Sequence, residues 1–144
     1  MANKIKETLA TGDVVVGTMI NVSSSKLTEI ISMSGFDFVV IDMEHGGIDI
    51  TAAEDMVRAA ELEQVTPIIR VTENRRHFIK RALDIGAQGL HVPEVNTPED
   101  AARIVYDSKY SPDGLRGMAG VRALGYGLKE SLSDAALRVN AENM

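Results

Sequence analysis

The sequence predicts an α/β fold built on a parallel sheet, and three observations point there. Four short apolar runs recur along the chain, Val14 to Met19, Phe38 to Asp42, Pro67 to Val71 and Gly89 to Pro93. Each is followed by a stretch whose apolar residues fall at helical spacing. The runs are nearly continuous rather than alternating, as strands covered on both faces require. Such alternation folds either as a doubly wound sheet or as part of a closed barrel, and periodicity does not choose between them.

Taken in order, the first helix is expected to start near Ser24 or Ser25, with Leu27, Ile30 and Ile31 on one face and Gly35 beyond its end. The second carries a potential capping box, Thr51 with Glu54, followed by Ala53, Met56, Val57 and Ala60 at helical spacing. The third runs from about Asn74, burying Phe78, Ile79, Ala82 and Leu83, and stops at Gly86. In the fourth, Thr97 caps, Pro98 takes the first helical position, and Ala101, Ile104 and Val105 face inward. Four βα units result. A Gly-rich stretch from Ser111 to Gly127 reads as a long functional loop, and a last polar helix spans about Leu128 to Asn140.

With 144 residues the chain is one domain or part of one, well short of the roughly 250 of a complete eightfold α/β barrel. The 44% apolar and 25% charged content is that of a globular chain with a real core. A net charge of -6 argues against a nucleic-acid partner, which would call for clustered Lys and Arg. There is no cysteine, hence no disulfide, thiolate nucleophile or Cys-based zinc site. No apolar run approaches a membrane span and Met1 to Lys6 lacks a signal core, so a cytoplasmic protein without a membrane partner is expected.

In parallel α/β folds the functional side chains gather where strands end. After the second run comes Asp42-Met43-Glu44-His45-Gly46-Gly47, two carboxylates and an imidazole within four residues, and Arg70 closes the third. Carboxylates hold a histidine in one tautomer and raise its basicity, which suits proton abstraction near neutral pH. An arginine one strand away offers a fixed fork for a substrate carboxylate or a developing enolate oxygen. The bland alternatives are a surface histidine and a rim ion pair. His77 reads as solvated, His91 as a satisfied sheet histidine, and the Arg75-Arg76 and Lys80-Arg81 cluster as a solvated helix face. Nucleotide-binding and serine-hydrolase motifs are missing, and Ser23-Ser24-Ser25 is explained by helix capping as well as by an anion site.

Gly35-Phe36-Asp37-Phe38 running into Ile41-Asp42-Met43-Glu44-His45 resembles the signature of HpcH/HpaI aldolases. Pro67-Ile68-Ile69-Arg70-Val71, then Leu83-Asp84-Ile85-Gly86-Ala87-Gln88-Gly89, Val92-Pro93 and the Pro112 to Gly117 segment continue the likeness in register, so it covers roughly residues 14 to 127. It implies a (β/α)8 TIM-barrel type fold of which about four βα units, the N-terminal portion of a single barrel domain, lie within residues 1 to 144. It also implies cleavage of a 4-hydroxy-2-oxo acid to pyruvate and an aldehyde through a metal-stabilised enolate, in a homo-oligomer. His45 resembles the family's base, Arg70 the residue that binds the pyruvate oxygen, and Asp84 the carboxylate that raises the basicity of the histidine, a task Asp42 or Glu44 can share. As a helix-end residue, Asp84 is expected on the face opposite the strand exits, where it would serve a neighbouring subunit or pair with a nearby arginine. The implied divalent metal, Mg2+, Mn2+ or Co2+, has its ligands beyond residue 144, so no metal ligand is assigned. Departures are Ser111, where the family often has proline, and His91, where an apolar residue is usual. The competing readings are an inactive half-barrel fragment or assembly module, and a citrate-synthase-like condensing enzyme on the same scaffold.

Overall fold

A computed structural model describes residues 3–143. Four parallel strands, β1 (Gly17–Ile20), β2 (Phe38–Asp42), β3 (Thr66–Arg70) and β4 (Gly89–His91), lie in the order β1-β2-β3-β4. Between them run helices α2 (Ser25–Ser32), α3 (Ile50–Leu62) and α4 (Arg76–Asp84), preceded by α1 (Lys4–Ala10) and followed by α5 (Pro98–Ser108) and α6 (Leu132–Glu142). Sequential order settles what periodicity left open. A doubly wound sheet reverses its direction of growth, whereas here every crossover steps to the next strand on the same side. The sheet is therefore the wall of a barrel, and the chain is a partial barrel of TIM type with β1 and β4 as its edges.

The two faces of that wall differ. Ile20, Val39, Ile41 and Ile69 are fully buried against Ala53, Met56, Val57, Ala60 and Ala82 of the helical layer, and Leu90 packs beside them. The alternate residues on β2 to β4, Val40, Ile68 and Gly89, stand in register on the other face, which in a closed barrel is the interior.

Several expectations are corrected. β1 begins three residues later than Val14, because Val14 is exposed and Val16 is tied instead to Asp37, whose carboxylate accepts the Val16 N–H. α3 is capped by Asp49, which accepts from the Thr51 and Ala52 amides, while Glu54 pairs with Arg58, so no box forms with Thr51. Ile30 of α2 is exposed, and Thr28 and Ser32 are buried instead. Thr97 caps α5 as expected, with Asp100 completing a capping box, yet Ala101 and Val105 are exposed rather than inward-facing, α5 packing mainly along α4. α6 starts at Leu132 rather than near Leu128 and buries Ala135, Ala136 and Val139, so its polar composition hides an apolar stripe. α1 was not anticipated. It closes the base of the sheet, with Ile5 buried and Asn3 donating to the Gln88 carbonyl. No helix among the described residues is long and apolar enough to cross a membrane.

Candidate active site

β2 and β3 end level with each other, with Asp42 and Arg70 paired across the ladder. Ile41 and Ile69 point into the helical layer, so the next residue on each strand points to the inner face at the rim. There Asp42 grips Arg70 in a two-point fork, Nε donating to Oδ1 at 2.8 Å and Nη2 to Oδ2 at 2.6 Å. The same Oδ1 accepts the Glu44 and His45 amides at 3.0 and 3.2 Å, so one carboxylate both anchors the guanidinium and folds the turn that carries the histidine. Asp42 is only 2% exposed, and its carboxyl is lowered to about 2 chiefly by the Arg70 hydrogen bond, then by the amides, against the opposing pull of burial.

Glu44 completes the chain of contacts. Its Oε2 lies 3.3 Å from Arg70 Nε and its Oε1 3.6 Å from His45 Nε2. The His45 side chain is 70% exposed, hence open to a small molecule from solvent. Asp42, Glu44, His45 and Arg70 are thus brought together on one rim. Gly46 is the residue missed from sequence. A Cβ there would meet the Asn21 and Asp42 carbonyl oxygens at 2.8 Å, so the turn can tuck against β1 and β2 only with glycine.

These residues do not make a cation site. Both Asp42 oxygens are engaged by Arg70 and amides, and no group of three His, Asp or Glu suited to a metal ion occurs among the described residues.

Asp84 lies elsewhere. Helices run back against the strands, so the end of α4 is at the base, where Asp84 Oδ1 accepts from Arg116 Nη2 at 3.0 Å. Arg116 is fully buried and stacks on Tyr110 with its guanidinium carbon 4.3 Å from the ring centroid, while burial pushes the Tyr110 hydroxyl up to about 12. The Gly-rich stretch is likewise at the base rather than over the rim. Its Arg122 binds Glu61 at the end of α3 and the Ile85 carbonyl at the end of α4. A cavity of about 550 Å³ opens beside it, lined by Glu61, Gln88, Arg122, Tyr126 and Arg138. His91 is exposed at the end of β4, not enclosed in the sheet as expected. His77 is solvent-facing as expected, against the Phe78 ring.

A singly wound parallel wall with an acid, a guanidinium and an imidazole at its strand ends belongs to the class of barrel chains that place small-molecule chemistry on that rim. Within that class the chain is a member of the HpcH/HpaI aldolase/citrate lyase family, which it matches over residues 16–142. Curated relatives include the 5-keto-4-deoxy-D-glucarate aldolases of Salmonella newport and Salmonella heidelberg, each 38% identical over 81% of this chain and 46% of that protein. Among solved structures, a HpcH/HpaI aldolase/citrate lyase family protein from Burkholderia cenocepacia superposes with a TM-score of 0.88 at 34% identity, covering 98% of this chain and 57% of that one. A citrate synthase follows with a TM-score of 0.84 at 36% identity, over 97% of this chain and 53% of that one. The chain spans about half the length of the curated relatives it matches.

Proposed function

We propose that this chain is the N-terminal portion of a single barrel domain and supplies the proton-transfer side of a 2-oxo-acid aldolase. The observation that carries this reading is the Asp42 fork on Arg70, joined through Glu44 to His45 on the same rim. With Nε and Nη2 held by Asp42, the Arg70 fork is fixed and its remaining N–H groups are left for an oxo-acid oxygen. His45 takes the proton of the substrate's hydroxyl; the neighbouring carbon–carbon bond breaks, an aldehyde leaves, and the electron pair moves to the enolate oxygen facing Arg70. Reprotonation of the enolate carbon yields pyruvate. The same enolate adding to a different carbonyl gives the condensing reaction, a second reading favoured by the likeness to a citrate synthase. The resemblance further implies a divalent metal, a homo-oligomer and a cytoplasmic setting. Asp84 would then act on a neighbouring subunit's rim, since within the chain its partner is Arg116.

Pyruvate titration followed by NMR, together with pyruvate release from a 4-hydroxy-2-oxo acid coupled to lactate dehydrogenase with Mn2+ or Co2+ added, tests the proposal. Expected are shifts at the Arg70 Nε–H and His45 ring signals, with only trace turnover by this chain alone. Silence at Arg70, or turnover that survives His45→Ala, overturns the reading.

A further inference from the structure

The rim does not end at β3. His91 is the last residue of β4 and is paired with Arg70 as Arg70 is paired with Asp42, so three residues stand level across three adjacent strands. Residues paired across a parallel ladder point to the same face. The preceding residues, Ile41, Ile69 and Leu90, all pack into the helical layer, which puts Asp42, Arg70 and His91 together on the inner face. Neighbouring strands lie about 4.8 Å apart, close enough for one small molecule to span two of them.

His91 differs from its two neighbours in being uncommitted. Asp42 and Arg70 are bound to each other, and His45 leans on Glu44. The His91 imidazole is exposed and has no hydrogen bond or ion pair with the described residues, although its own carbonyl accepts the Val71 N–H and fixes the backbone. A ring carried on a fixed strand end, with both nitrogens free, can both donate to and accept from a hydroxyl. An oxo acid anchored on Arg70 therefore has an imidazole on each side, His45 on the β2 side and His91 on the β4 side.

We infer that His91 is a specificity-determining residue that hydrogen-bonds the hydroxyl-bearing end of the substrate while Arg70 holds its oxo-acid end. The inference rests on the oxo-acid reading given above and deepens it. It predicts discrimination between two acids that differ by one hydroxyl, 4-hydroxy-2-oxobutanoate and 2-oxobutanoate. The chain has three histidines, His45, His77 and His91, so each ring can be followed by NMR at constant pH, with outward-facing His77 as the internal control.

The expected result is that both acids shift the Arg70 signal, whereas only the hydroxylated one shifts His91. His91→Leu should weaken the hydroxylated acid about fivefold to tenfold, the worth of one hydrogen bond, and leave 2-oxobutanoate unchanged. His91→Asn, which keeps a donor and an acceptor near the ring Nδ1 position, should recover part of the loss. If Arg70 responds to both acids but His91 to neither, or if His91→Leu weakens both equally, the inference is wrong and the oxo-acid site stands. If Arg70 responds to neither acid, the oxo-acid site falls and the inference falls with it.

Discussion

The two ends of this half barrel carry the same kinds of charged side chain and use them differently. At the base, Arg116 is sealed over Tyr110 against Asp84, and Arg122 ties Glu61 to the end of α4. At the rim, Arg70 is held just as firmly by Asp42, but the group it reaches through Glu44, His45, stands in solvent. At the base the Asp84–Arg116 pair ends in the chain's own packing against Tyr110, whereas at the rim the Asp42–Arg70 pair leads on to an exposed imidazole. The difference lies in what the second partner touches, because guanidinium–carboxylate chemistry is common to both.

The sharpest way to break this comparison is at the base. Arg116→Ala should cost about 3 kcal/mol or more in urea unfolding, since it strands Asp84 and empties the space over Tyr110, yet leave the pyruvate response at Arg70 intact. A lost response in a still folded variant would erase the distinction between the ends.

Acid acts next, and on the rim. Asp42 has a folded pKa below its unfolded value, so its contribution to stability is complete above about pH 4 and is lost as pH falls towards about 2. Thermal melts across that window should show a drop in wild type that is smaller in Asp42→Asn. Equal slopes would mean that the fork on Arg70 does not stabilise the fold.

The smallest effect on stability is expected at the exposed imidazole. His45→Ala should change unfolding by less than about 0.5 kcal/mol while removing any trace turnover. A larger loss would make His45 a part of the scaffold, like Arg116.

How much of this was legible in the sequence depends on the range of the interactions involved. Strand positions followed from apolar runs, and the α5 cap from Thr97 and Pro98, because these are contacts within a few residues. The rim was legible too, since strand polarity alone sends Asp42 and Arg70 to the same end. The Thr51 box failed because Asp49, two residues earlier, caps the helix and takes the Thr51 amide, while Glu54 turns to Arg58. The base was legible only in part: the end of α4 sends Asp84 there and left an arginine as one expected partner, but which arginine was not readable. Asp84 with Arg116 and Glu61 with Arg122 join residues far apart in the chain, and nothing local marks Arg116 as buried. Barrel over doubly wound sheet likewise needed the strand order, a property of crossovers and of no single element.

Consecutive glycines in the rim turn set different limits on how the site can change. At Gly46 two carbonyl oxygens fill the space a methyl group would need, so any side chain lifts the turn and carries the imidazole away from Arg70. Gly47 faces open space, with no atom within 4 Å of where a Cβ would stand. New side chains can therefore be added at the second glycine without moving the imidazole, and variation should collect there while the first stays invariant.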